Sequence, residues 1–290
     1  MTHFAVAGLQ LELTAQDNLG IVRAEMEHLK RRFPWVDMVV LGELSLRGPQ
    51  TSNAEPLPGP LEQSLCQIAR DLRLWFVPGS IHERDGDRIY NTAPVIDPSG
   101  RVVARYRKMF PFLPYEQGVT PGTEFVVFDV PKIGRFGVSI CYDMWFPETT
   151  RTLAWMGAEV VIHPTMTNTI DRDLELAIAR TNAAVNQCWF VDVNCAGRLG
   201  NGRSLVVAPD GSVVHQAGTG YEIVPVEMDL GLVRRGRRRG LLGLGQPMKS
   251  FRDSAVVFPP YQPGQASSPT LRQLGAMAVP GSASTDEEAG

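Results

Sequence analysis

The chain has 290 residues, 43% of them apolar, and a formal charge of −3 with its five histidines neutral. That suffices for one large α/β domain or two small ones, and the interspersed charge gives no pull toward nucleic acid or a membrane. No apolar run nears the ~18 residues of a membrane span, and Met1-Thr2-His3 leads into a strand-like run without a basic leader, so a soluble, cytoplasmic protein is expected.

The predicted elements alternate. Phe4–Leu13 reads as a strand, and apolar residues at 19, 22, 26 and 29 predict a helix over Asn18–Arg32. Asp37–Leu46 is a second strand, broken by Glu43. The Pro58-Gly59-Pro60 breaker introduces a helix over Leu61–Leu72, followed by a strand over Leu74–His82. Ile89–Asp97 and Val102–Tyr106 form a hairpin around Asp97-Pro98-Ser99-Gly100. Strands Phe125–Asp129 and Phe136–Cys141 follow, then a helix from Pro147 to about Gly157. Strand Val160–His163, helix Leu174–Asn186 and strand Trp189–Asn194 come next. Ser204–Ala208 and Val213–Gln216 make another hairpin, and Ile223–Met228 is the last strand.

This pattern predicts a layered α/β fold. More than ten strands suit two mixed sheets face to face with helices outside, a four-layer α-β-β-α sandwich. One domain is expected over 1–258. From Pro259 the chain is rich in Pro, Gly, Ser and Ala, which predicts a tail over 259–290 that is disordered or ordered by a partner subunit. Arg234-Arg235-Gly236-Arg237-Arg238-Arg239 reads as a solvated surface or subunit contact, and Gly240–Gly245 as a flexible connector.

Cys141 is the strongest candidate for chemistry. It ends the run Val138-Ser139-Ile140-Cys141, just before a turn and a helix started by Pro147, and strand ends are where α/β folds gather reacting groups. A free thiol is only roughly 3% ionised at neutral pH, so it needs a base and a positive neighbour. Glu43 sits in Val39-Val40-Leu41-Gly42-Glu43-Leu44, where a carboxylate is costly to bury unless paired. Lys108 closes a strand, and Glu116 follows the turn-rich Pro111-Phe112-Leu113-Pro114. Taken singly, each also reads as an ordinary surface charge. Cys66, Cys188 and Cys195 read as small core residues, and His163 as a satisfied structural imidazole. With no CxxC, no HExxH, no phosphate-binding loop and no dinucleotide fingerprint, neither a metal nor a cofactor is expected.

Four blocks together resemble the nitrilase superfamily of carbon–nitrogen hydrolases. They are Leu41-Gly42-Glu43-Leu44-Ser45; Tyr106-Arg107-Lys108 with Pro121-Gly122; Gly137–Asp143 with Phe146-Pro147-Glu148; and Ala177–Asn194. Within that superfamily the loop from Arg107 to Pro121-Gly122 is most similar to aliphatic amidases and formamidases. Gly42 replaces a proline common before the glutamate, a change of backbone stiffness, and Leu44 stands where aliphatic amidases have a tyrosine.

The resemblance implies a Cys141 nucleophile, a Glu43 proton carrier, Lys108 at the oxyanion with the Tyr142 backbone N–H, and Glu116 orienting the amide or the water. It also implies that Thr165 and Met166 line a pocket with Tyr142 and Phe112. The implied reaction is hydrolysis of a small non-peptide amide through a thioester. Alternatives are an N-carbamoyl amine or amino acid hydrolase, with Arg172 and Arg180 pairing a substrate carboxylate, a nitrilase, or a non-catalytic scaffold. A homodimer or larger homo-oligomer is expected.

Overall fold

The computed structural model describes residues 2–262 and 268–279. In chain order its strands are β1 (His3–Gln10), β2 (Glu12–Leu13), β3 (Met38–Leu41), β4 (Trp75–Val77), β5 (Ile81–Asp85), β6 (Arg88–Ile96), β7 (Val102–Arg107), β8 (Val126–Val130), β9 (Gly134–Val138), β10 (Val160–Thr165), β11 (Trp189–Asn194), β12 (Ala196–Gly197), β13 (Leu205–Val207), β14 (Val213–Gln216) and β15 (Glu222–Asp229). The principal helices are α1 (Leu19–Arg32), α2 (Pro60–Leu72), α3 (Pro147–Trp155), α4 (Arg172–Asn186) and α5 (Leu230–Arg239).

Seven strands form one sheet in the order β15-β1-β3-β4-β6-β5, with β7 also on β6; six form a second in the order β14-β13-β11-β10-β9-β8. β1, β3 and β4 run parallel, as do β9, β10 and β11, and the outer strands pair antiparallel. Strands such as β3 and β11 are buried along their whole length, as parallel strands covered on both faces should be.

Three apolar clusters establish the layers. Val6, Val40, Val77 and Tyr106 of the first sheet meet Val138, Ile162 and Val191 of the second. Val22, Met26, Leu29, Leu65 and Ile68 from α1 and α2 cover the outer face of the first sheet at Val39, Leu41 and Phe76. Leu153, Leu176, Ala179 and Ala183 from α3 and α4 cover the second at Val161, Phe190 and Val207. Each fully buried Leu, Ile or Phe contributes roughly 1.5–3 kcal/mol of transfer energy to this arrangement. The predicted four-layer α-β-β-α sandwich is the observed one. Among the described residues no helix is long and apolar enough to cross a membrane.

The differences from the predicted elements fall at turns. β3 stops at Leu41, not Leu46, because Leu44 turns left-handed at φ 49°. The strand expected over Leu74–His82 divides into β4 and β5 at Gly79, whose φ is 75°. Gly42 and Gly79 meet there: a Cβ on Gly79 would lie 1.8 Å from the Gly42 carbonyl, and one on Gly42 2.7 Å from Cys195 Sγ. Gly42 is thus a close-packing requirement beneath Glu43, more than a change of stiffness.

The arginine run is not simply solvated, either. It forms the end of α5, where Arg234 holds Glu159 and Arg235 holds Asp229. The Arg237 guanidinium donates to the Gln187 and Ala158 carbonyls. The chain remains tied down past 258, since the Tyr261 hydroxyl donates to Glu148 and Phe251, Phe258 and Tyr261 stack in series. Residues 263–267 and 280–290 of the expected tail lie outside the described residues.

Candidate active site

Three chain segments converge beyond the carboxyl ends of the sheets. Glu43 lies just past β3, Lys108 just past β7, and Cys141 shortly after β9. Lys108 Nζ donates to Glu43 Oε1 at 2.8 Å and to Glu116 Oε2 at 2.7 Å. The ammonium and the Glu43 side chain are almost wholly withdrawn from solvent, at 1% and 2% exposure. Asn91 on β6 closes the group, donating to Glu43 Oε1 at 2.7 Å and to Glu116 Oε1 at 3.4 Å. The Phe112 backbone N–H also donates to Glu116.

The electrostatics follow from this packing. Burial pushes the Glu43 carboxyl up; Lys108 opposes the shift and the Glu116 charge adds to it. Burial alone would depress Lys108, but the charges of Glu43, Cys141 and Glu116 outweigh it and hold the ammonium well above its usual range. Glu116 feels burial too, yet Lys108 and its hydrogen bonds keep it lowered, hence ionised. The two glutamates are therefore chemically different: one poised to accept a proton, the other a fixed anion.

Cys141 opens a short 3-10 turn, Cys141–Trp145, with a left-handed φ of 47°. Such a conformation costs a non-glycine residue of order 1 kcal/mol and must be imposed from outside. Asp143 imposes it: buried beneath the turn, its carboxylate accepts the backbone N–H of Ile140 at 2.8 Å and of Phe110 at 2.9 Å, and the Tyr106 hydroxyl at 2.6 Å. The charges of Glu43 and Lys108 both act on the thiol, and the Met166 backbone N–H favours its ionised form. Burial and the Glu43 charge push it well above its ordinary value, and Lys108 only partly offsets them.

Cys141 stands on the wall of a cleft of about 1070 Å³ shared with Glu43, Lys108, Glu116, Tyr142 and Phe112. The Phe112 ring stacks on Tyr115 and is tilted against Tyr142 along it, with centroids 4.9 Å apart in each contact. Met166 lines the cleft, but Thr165 does not. That residue ends β10, fully buried, and its carbonyl accepts the Glu43 backbone N–H at 3.0 Å. Thr165 therefore positions Glu43 from behind, and its place on the wall belongs to Thr167.

Behind Thr167 lies a second buried charge cluster. The Thr167 hydroxyl, 4.0 Å from Cys141 Sγ, donates to Glu175 Oε1 at 2.9 Å. Arg172 holds Glu175 Oε2 at 3.0 Å and Asp192 Oδ2 at 2.7 Å, and donates to the Arg203 carbonyl. Arg172 is thus committed inside the protein, and Arg180 donates to the Gly211 carbonyl on the surface. Neither lines the cleft, contrary to the expectation that they pair a substrate carboxylate.

His163 is buried with Nδ1 2.7 Å from Ser139 Oγ, but its Nε2 meets no hydrogen-bond partner, so the imidazole is only half satisfied, not fully as expected. Burial lowers its pKa from 6.5 to about 4, against the pull of Asp192. The unfolded chain therefore takes up this proton near pH 6.5, before the folded one does, so stability is full above that pH and is lost as pH falls toward 4. About 2 kcal/mol is expected to go between pH 7 and pH 5. A His163→Asn variant, followed by denaturant titration, should lose correspondingly less over that interval.

Asn91, Thr167, Glu175 and the Tyr106–Asp143 pair escaped the sequence reading. Their one signal is a polar side chain at an inward position of an otherwise apolar element, as in Tyr90-Asn91-Thr92-Ala93. Among the described residues no cluster of His, Cys, Asp or Glu is arranged to hold a metal ion.

Residues 5–238 match the family described as carbon-nitrogen hydrolase. Among curated proteins the chain is similar to the omega-amidase NIT2 of Homo sapiens, 29% identical over 250 residues, which is 79% of this chain and 90% of that protein. Among solved structures it is similar to Saccharomyces cerevisiae Nit3, a member of branch 10 of the nitrilase superfamily. There the TM-score is 0.76 and the identity 31%, covering 82% of this chain and 94% of the other. An amidase from Nesterenkonia sp. shares the fold, with a TM-score of 0.72 and 22% identity over 82% of this chain and 94% of that one.

Proposed function

Because the chain belongs to the carbon–nitrogen hydrolase family, and is an amidase-type enzyme that works through a cysteine, we propose that Cys141 is its nucleophile, Glu43 its proton carrier and Lys108 its oxyanion partner. Cys141 Sγ attacks the amide carbonyl carbon while Glu43 takes the thiol proton. The carbonyl oxygen becomes an oxyanion that Lys108 Nζ and the Tyr142 backbone N–H stabilise, each such donor being worth roughly 3–4 kcal/mol of barrier. The C–N bond then breaks as Glu43 returns its proton to the nitrogen, so ammonia or an amine leaves rather than an amide anion. Water attacks the thioester and gives a proton to Glu43, which passes it to the departing Cys141 sulfur, so that the carboxylic acid leaves and both the thiol and the Glu43 carboxylate are restored. Glu116, held anionic by Lys108, fixes the ammonium and orients the amide or the water.

The single observation that carries this reading is the shared burial of Glu43 and Lys108, 2.8 Å apart, on the same cleft as Cys141. The relatives named as amidases support an amide over a nitrile substrate. The commitment of Arg172 and Arg180 elsewhere removes the basis for an N-carbamoyl amino acid. Assembly as a homo-oligomer belongs to the same proposal, supported by apolar side chains left open on the surface, including Trp155, Val257 and Tyr261. A cytoplasmic location is supported by four free cysteines, which suit a reducing compartment.

The test is ammonia release from formamide, acetamide and propionamide as a function of pH. Attack needs Glu43 as carboxylate, so activity should fall as pH drops through its raised pKa. The acidic limb of kcat/KM should then lie above the ordinary glutamate value of 4.5. A limb at or below that value would remove Glu43 as the base, and no ammonia from any amide would remove the reading.

A further inference from the structure

The charge lining the cleft points to the substrate class. Four carboxylates contribute to its wall: Glu43, Glu116, Asp171 and Glu175. Lys108 is the only cation lining it among the described residues, and it is already held by two of those carboxylates. Three cations on the flanking segments are engaged elsewhere, Arg172 with Asp192 and Glu175, Arg203 with Asp173, and Arg47 with Glu55. The amino end of α4 opens toward the cleft, and its partial positive charge would ordinarily welcome an anion. Here Asp171 precedes it and Asp173 and Glu175 occupy its first turn, so that charge is already offset. The remaining wall is mixed: neutral polar residues such as Gln50, Ser52, Gln117 and Asn168 stand beside Phe112, Tyr115, Tyr142, Trp145 and Ile170, whose ring faces attract ammonium groups.

We propose that this cleft favours an amide whose far end carries an ammonium group and disfavours one whose far end carries a carboxylate, with Asp171 at the rim setting part of that preference. The proposal rests on the amidase reading above and deepens it. Asp171 is the side chain best placed to act on the far end: it is partly open to solvent, and the partner it takes is the neighbouring Thr169 hydroxyl. The other three carboxylates are drawn inward, to Lys108 or to Arg172 and Thr167. An anionic substrate long enough to reach Cys141 therefore places its charge among carboxylates, with no unengaged cation on the wall among the described residues to balance it. An ammonium group in the same position meets carboxylate and ring together.

Three amides of similar length separate the possibilities: 5-aminopentanamide, pentanamide and glutaramate. With the full-length enzyme at low salt, kcat/KM for 5-aminopentanamide should exceed that for glutaramate by ~10-fold or more, and the ratio should shrink as salt screens the cleft. Asp171→Asn should lower the same ratio by roughly 3-fold, within the range of one screened charge. Glutaramate used as well as or better than 5-aminopentanamide, with pentanamide turned over, would overturn the charge preference and leave the amidase reading standing. Turnover of none of the three, with no acyl adduct on Cys141 by mass spectrometry, would remove both. An unchanged ratio in Asp171→Asn would overturn the role given to that residue.

Discussion

Cys141→Ala is expected to remove turnover, by ~10⁵-fold or more, in a protein that still folds. No other thiol can take its place. Cys188 and Cys195 are fully buried, with burial pushing them up to about 11 and about 12, and Cys66 lies on α2 on the far side of the first sheet. A Cys141→Gly variant makes the prediction sharper, because the backbone at 141 is left-handed at φ 47°. Alanine and serine keep that strain, whereas glycine relieves it, by about 1 kcal/mol. The glycine variant should thus be equally inactive yet melt roughly 2 °C above the alanine variant. Ammonia release and a thermal melt on the same preparations check both halves. Residual turnover in the alanine variant would place the nucleophile elsewhere, and a glycine variant that melts lower would deny that the turn is strained.

The residues proposed to react were legible in the sequence because each interrupts a pattern. Glu43 breaks an apolar strand, and Cys141 ends one just before a turn and a proline-started helix. The supports beneath them were not, since an inward Asn91 or Asp143 looks like any polar residue until its partner from another segment is known. Arg172 shows how a boundary error becomes a functional one. Begun at Leu174, the helix leaves Arg172 in a loop, free to meet a substrate. In the structure α4 begins two residues earlier, and that turn carries Arg172 inward to Glu175 and Asp192. Thr165 failed in the opposite sense. The strand was expected to end at His163, but β10 runs on to Thr165, so the cleft wall begins only at Met166 and Thr167.

Arg172→Met is expected to cost 3–5 kcal/mol of stability, the usual penalty for leaving buried charge without its partner. The guanidinium is 1% exposed, and the two carboxylates it serves are almost as deeply buried. Asp192 is the more dependent, since neither of its oxygens accepts a well-aligned hydrogen bond and the Arg172 charge is its principal compensation. Burial already raises Glu175 against the pull of Arg172, and without that charge it would hold its proton to still higher pH in the folded state than in the unfolded chain. The deficit should therefore be largest at neutral pH and shrink as pH falls toward the ordinary carboxylate range. Adding Asp192→Asn and Glu175→Gln removes the stranded charges and should recover much of the loss, which distinguishes electrostatics from a packing defect. Activity should follow the same order in part, because Glu175 holds the Thr167 hydroxyl beside the thiol. Denaturant midpoints for the single and triple variants at pH 5 and pH 7 decide the matter: a pH-independent deficit, unrelieved in the triple variant, would show that Arg172 matters for its volume and not its charge.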